Sequence, residues 1–145
     1  LRTGIYTATM DSVAAQGSAA VEELNCQNGH LTDLSSVDIN PKLQVVDLTC
    51  NRLSSIDPRI LALTGLVSLS MRQNQLGSSV EAWSGSACKD TLQDLEFRDN
   101  EITEMPTLSG FSSLTRLEFS YNEIHSMQAL ETLPPSVPLT ELYLA

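Results

Sequence analysis

The chain has 145 residues, one domain's worth, with 18 Asp and Glu against 8 Lys and Arg and a formal net charge of −10. That balance argues against a phosphate-backbone binder, which needs a basic face, and fits a soluble protein or one whose partner carries basic patches. No uninterrupted apolar run is long enough to cross a bilayer.

Residues 1–20, "LRTGIYTATMDSVAAQGSAA", are small and polar. They carry too little large apolar surface to offset the entropy of ordering. The segment is therefore expected to be disordered or weakly ordered, with at most a short helical turn near Ala14 and Ala15. It lacks the apolar h-region of a signal peptide, and Met10 is a candidate natural start. Three cysteines, Cys26, Cys50 and Cys88, occur without CxxC spacing, and no Asn lies in an N-x-S/T context. An odd count of this kind suggests neither a disulfide framework nor a zinc site and favours a reducing intracellular compartment.

From residue 21 the chain repeats. The phrase "LQDLEFRDNEI" at residues 92–102 returns as "LTRLEFSYNEI" at 114–124. Both fit the template L-x-x-L-x-L-x-x-N-x-L. Leu43, Val46, Leu48, Asn51 and Leu53 fit it as well, and so do Leu66, Leu69, Met71, Asn74 and Leu76. A weaker first copy uses Val21, Leu24, Cys26 and Leu31, with Gly29 where Asn is wanted. A sixth copy begins at Leu139, Leu142 and Leu144, and the chain stops before its Asn. Residues 21–145 are thus expected to form one domain of about five repeats plus part of a sixth.

The template has a direct physical meaning. Each repeat contributes a short strand near its fourth position, paired in parallel with its neighbours about 4.8 Å away. The apolar first, fourth, sixth and eleventh positions point inward, and no repeat can bury its core alone. The Asn side chain both donates and accepts, so Asn51, Asn74, Asn100 and Asn122 are expected to form a ladder that satisfies backbone groups in the turns. The remaining half of each repeat carries apolar residues three or four apart, such as Ile102, Met105, Leu108 and Phe111. Short 3₁₀ turns or one-turn helices suit that spacing, and Pro106, Pro134 and Pro135 oppose longer ones. The insertion at residues 77–91 lengthens one such segment and brings Trp83, expected to pack over the convex core. The fold class is α/β: a solenoid, or horseshoe, with a parallel concave sheet and short 3₁₀ or helical convex segments.

Catalytic signatures are absent. His30 and His125 flank strand-exit turns without metal-ligand spacing, and no GxSxG, P-loop or GxGxxG occurs. Cys26 holds a core position, and Cys50 is a surface thiol beside Asn51. "RLEF", residues 116–119, loosely resembles a short phosphatase-docking peptide, but Leu117 and Phe119 are core positions. No enzyme activity, metal or cofactor is expected, and the concave face becomes the candidate site. Its fifth-position row reads Asn25, Asp47, Ser70, Glu96, Glu118, Tyr143, and its eighth-position row Asn28, Cys50, Gln73, Asp99, Tyr121. Acids cluster with tyrosines toward the C-terminal repeats, the composition of a protein-docking face. Arg72 and Arg98, in the seventh row, are expected to neutralise part of it.

The 22-residue period with Leu or Ile after the Asn resembles the short intracellular class of leucine-rich repeats. Within that class, "MRQN", "RDN" and "SYN" at successive repeat exits resemble the leucine-rich-repeat regulatory subunits of protein phosphatase 1, the Sds-twenty-two type, over residues 21–145 and for the N-terminal part of such a subunit only. The resemblance implies a non-catalytic scaffold of cytoplasm and nucleus that docks the phosphatase catalytic subunit through its concave face. By position, Asp47, Glu96, Asp99, Glu118, Tyr121, Glu141 and Tyr143 are the candidate contacts. The alternative is another intracellular repeat adaptor, of the spliceosomal, dynein-associated or tubulin-folding type. An extracellular receptor segment fits less well, because paired cysteine caps and glycosylation sites are missing. Such subunits carry roughly twice as many repeats and a C-terminal cap. The chain is therefore expected to be a fragment or short form, monomeric but marginally stable, with an uncapped end able to associate. Leaving a side chain such as Leu142 uncovered forgoes roughly 1.5–3 kcal/mol.

Overall fold

The computed structural model describes residues 6–10 and 21–145. Among these residues seven strands form one sheet in chain order. They are β1 (Tyr6–Met10), β2 (Val21–Asn25), β3 (Val45–Asp47), β4 (Ser68–Ser70), β5 (Asp94–Glu96), β6 (Arg116–Glu118) and β7 (Glu141–Tyr143). Strands β2 to β7 pair in parallel, one per repeat, in a register that aligns equal template positions. The fourth-position residues Leu24, Val46, Leu69, Leu95, Leu117 and Leu142 lie side by side.

The strands are three residues long from β3 onward because only the central residue must face the core. In β3, β4 and β5 it is buried between two half-buried neighbours. Backbone pairing nevertheless runs further along each repeat. Leu48 N donates to Ser70 O and Cys50 N to Arg72 O, both at 2.8 Å. The same step recurs from Met71 to Glu96 and from Phe97 to Glu118.

Behind the sheet the core is continuous from Leu24 to Phe119. The template leucines fill most of it, and an aromatic cluster fills the space opened by the insertion. Trp83, on the 3₁₀ segment Gly77–Gly85, is fully buried. It stacks on Phe111 at 6.3 Å and meets Phe97 edge-on at 6.1 Å, and Phe97 meets Phe119 edge-on at 5.5 Å. Among the described residues the other regular convex elements are a one-turn helix α1 (Pro58–Leu61), started by Asp57 and Pro58, and the 3₁₀ segment Gln128–Thr132. Toward β7 the burial declines: Leu130, Leu133, Leu139 and Leu144 are only partly covered, and Leu142 is exposed.

At the other edge β1 runs antiparallel to β2, pairing Tyr6 with Asn25 and Met10 with Val21. This is more order than the small, polar composition of residues 1–20 suggests. The physical reason is that backbone pairing on an open sheet edge needs no large apolar side chains. The remainder of that segment, including Ala14 and Ala15, lies outside the described residues.

Candidate protein-docking face

The side of the sheet away from the core is built from the third, fifth, seventh and eighth template positions. Register places Arg116 between Asp94 and Glu141, and Glu118 between Glu96 and Tyr143. At the eighth template position the backbone changes hand. Asn28, Cys50, Gln73, Asp99 and Tyr121 all have φ between 54° and 60°. Every eighth position is thus left-handed although none is glycine, a conformation L-residues adopt at a cost. The turn aims these side chains outward, and all five are exposed. Tyr121, with 68% of its surface accessible, lies under the Arg98 guanidinium at 4.4 Å.

The ninth-position asparagines hold this turn. Asn51 Nδ2 donates to Leu48 O in its own repeat at 2.8 Å and to Cys26 O one repeat back at 2.9 Å. Asn74 repeats the pair on Met71 O and Leu48 O, Asn100 on Phe97 O and Met71 O, and Asn122 on Phe119 O and Phe97 O. Each Oδ1 accepts from the eleventh-position N–H of the preceding repeat: Leu31, Leu53, Leu76 and Ile102. Gly29, where the first repeat lacks Asn, donates its N–H to Asn51 Oδ1 at 3.0 Å. A Cβ there would lie 2.9 Å from that oxygen, so the position requires glycine's close approach.

Charge on the face is organised by Arg116. Its guanidinium contacts Asp94 at 3.3 Å, Glu141 at 3.2 Å, Glu118 at 3.6 Å and also Glu96. It lies over the Tyr143 ring at 5.4 Å. Arg72 reaches Glu96 at 3.7 Å. Burial, then the neighbouring Glu96, raises the Asp94 pKa above the ordinary carboxylate range, against the opposing pull of Arg116. Burial opposes charge on Arg116, but Glu96 and Asp94 outweigh it and hold the guanidinium's pKa up. Tyr143 donates its hydroxyl hydrogen to Glu141 Oε2 at 3.2 Å, and that bond and Glu141's charge raise the phenol's pKa.

The candidate residues therefore fall into three groups. Glu96, Glu118, Glu141 and Tyr143 gather around Arg116. Asp99 and Tyr121 stand outward at the strand exits. Asp47 lies two strands from Glu96, where its carboxylate accepts from Thr49 N at 3.0 Å and from Gln27 Nε2. Glu118 is buried and takes both Ser120 N and Ser120 Oγ on Oε1, so it supports the face from within. Arg72 reaches one of these carboxylates and Arg98 lies over Tyr121, so Arg116, more than the seventh-row pair, neutralises the face. The signal was present in the third-position row, where Arg116 stands between Asp94 and Glu141. A shallow groove lined by Arg98, Tyr121, Leu142 and Tyr143 continues the face beside β7.

Cys26, Cys50 and Cys88 are free, and burial raises the thiol pKa of Cys26 and Cys88. Among the described residues no three His, Cys, Asp or Glu side chains are grouped to hold a metal. None of the described helices is long and apolar enough to cross a membrane.

The family model described as Leucine Rich Repeat matches residues 42–63. The chain is 37% identical over 123 residues to the protein phosphatase 1 regulatory inhibitor subunit PPP1R7 homolog of Arabidopsis thaliana, covering 84% of this chain and 37% of that protein. It is 31% identical over 130 residues to leucine-rich repeat serine/threonine-protein kinase 1 of Mus musculus, covering 81% of this chain and 6% of the kinase. It thus spans little more than a third of the first relative's length and a small part of the second. No solved structure matches. With its repeat spacing, parallel ladder and stacked asparagines, the chain has the leucine-rich-repeat fold, and its repeats are similar to those of a protein phosphatase 1 regulatory subunit homolog.

Proposed function

We propose that this chain is a non-catalytic protein-binding domain that docks the catalytic subunit of protein phosphatase 1 through its open, concave sheet face. The observation that carries the reading is the 37% identity, over 84% of the chain, to a phosphatase 1 regulatory subunit homolog. The chemistry of the face supports it. Exposed Tyr121 and Tyr143, flanked by Asp99 and Glu141, offer aromatic anchors beside carboxylates, the side-chain types that dominate docking energy when a partner covers them. Glu96 and Glu118 hold Arg116 in place, and Asp47 extends the acidic surface toward β3. The domain acts as a monomer in cytoplasm and nucleus, without cofactor.

A second reading, an adaptor for another intracellular protein, rests on the repeat period that such adaptors share. Biosensor titration with purified phosphatase 1 catalytic subunit separates the two. Saturable binding, weakened tenfold or more by Tyr121→Ala with Asp99→Ala, supports the phosphatase reading. If neither this chain nor a version extended through further repeats binds, the adaptor reading takes its place.

A further inference from the structure

We propose that Arg116 is a built-in counter-ion that sets how cationic a partner segment must be to occupy the acidic part of the docking face. The proposal rests on the reading that this face is the docking surface. It deepens that reading by naming the partner chemistry, a segment presenting lysine or arginine side chains.

One guanidinium holds carboxylates from three strands, Asp94 of β5, Glu118 and neighbouring Glu96, and Glu141 of β7. A guanidinium is suited to this, because its planar fork carries five donors and stays charged. Arg72 adds a second positive charge, and among the described residues it reaches one carboxylate, Glu96, at 3.7 Å. Four carboxylates against two guanidiniums leave a local excess of negative charge on a surface open to a partner. Arg116 already occupies the place that a partner's cation would take between Asp94 and Glu141, and its plane lies over Tyr143, the ring such a cation would also seek. A weakly basic segment gains little there, because its charge meets carboxylates that are already engaged. A strongly basic segment still finds the residual negative field. Arg116 thereby sets selectivity by partial neutralisation, and it holds Tyr143 and Glu141 in position while doing so.

The test uses a decalysine peptide as a probe, titrated by calorimetry at low ionic strength into the folded chain and its variants. Arg116→Gln should tighten decalysine binding about threefold to tenfold more than Arg52→Gln, an equal change in net charge at an exposed site outside the cluster, and the excess should vanish at high salt. Equal gains for the two variants would overturn the proposal, since they would show only the effect of total charge. Should Arg116→Gln fail to fold, Glu141→Gln at the cluster's exposed edge tests the premise that the cluster keeps an excess of negative charge open to a cation. It should weaken decalysine binding more than Glu123→Gln does, and equality again overturns the proposal. Titration of the wild type with phosphatase 1 catalytic subunit is the separate arm. Its failure ends the phosphatase reading while the decalysine comparison still decides the role of Arg116.

Discussion

Asn100 Nδ2 donates to Met71 O at 2.8 Å, so the side chain of one repeat closes the strand exit of the repeat before it. The same amide donates to Phe97 O, and its oxygen accepts from Leu76 N. Asn100 is fully buried. No water competes for these groups, and their loss is felt in full.

Asn100→Ala should therefore cost about 2–4 kcal/mol, because it strands buried carbonyl and amide groups in two repeats at once. Urea unfolding followed by circular dichroism measures it. A cost no larger than that of an exposed substitution such as Ser54→Ala would show that the ladder contributes little.

Gly29→Ala places a methyl group 2.9 Å from Asn51 Oδ1 and 3.1 Å from Leu31 Cγ. It should destabilise by about 1–3 kcal/mol through the forced shift of the first ladder rung. Gly65→Ala meets nothing within 4 Å and is expected to be neutral or slightly stabilising. Equal melting temperatures for the two variants would contradict this account.

The left-handed eighth row makes a conformational prediction. At Gln73, φ 54°, a β-branched side chain is the hardest to accommodate. Gln73→Val should lose about 1–2 kcal/mol, whereas Gln73→Gly should stay within about 1 kcal/mol of the parent, its backbone freedom offsetting the relief of strain. Denaturant midpoints for the pair give the comparison.

Two aspartates should respond to acid in opposite senses. Asp57 caps α1 by accepting from Arg59 N at 2.8 Å and pairs with the Arg59 side chain, whose hydrogen bond holds its pKa below the ordinary value despite partial burial. A depressed folded pKa contributes stability above the unfolded pKa and loses it as pH falls through the folded one. Asp57→Asn, which keeps the cap, should thus be less stable than wild type near neutrality, and the difference should close at the acid end. Asp94 is raised, first by burial and then by Glu96. Its contribution is fully present below the unfolded pKa and is lost as pH rises through the folded one. Asp94→Asn should accordingly gain on wild type as pH rises from about 3 toward neutrality. Parallel unfolding series across that range check both signs.

The sequence by itself determined the repeat, and with it the strand order, the buried rows and the class of fold. Leu43, Leu66, Leu92 and Leu114 do the same work at the same template position, and a role set by position within a short repeat is written in the spacing. Tertiary structure decided what depends on neighbours about 25 residues away. Arg116 gathers Asp94 and Glu141 because parallel pairing sets three repeats side by side, and Glu118 turns inward to Ser120 although its row marks it as a surface acid. β1 joins the sheet through backbone hydrogen bonds, which leave little trace in hydropathy. Periodicity records which side of the chain is buried. The partners of the unburied side are chosen only when the repeats stack, because charge and hydrogen-bond geometry depend on distances that spacing along the chain does not contain.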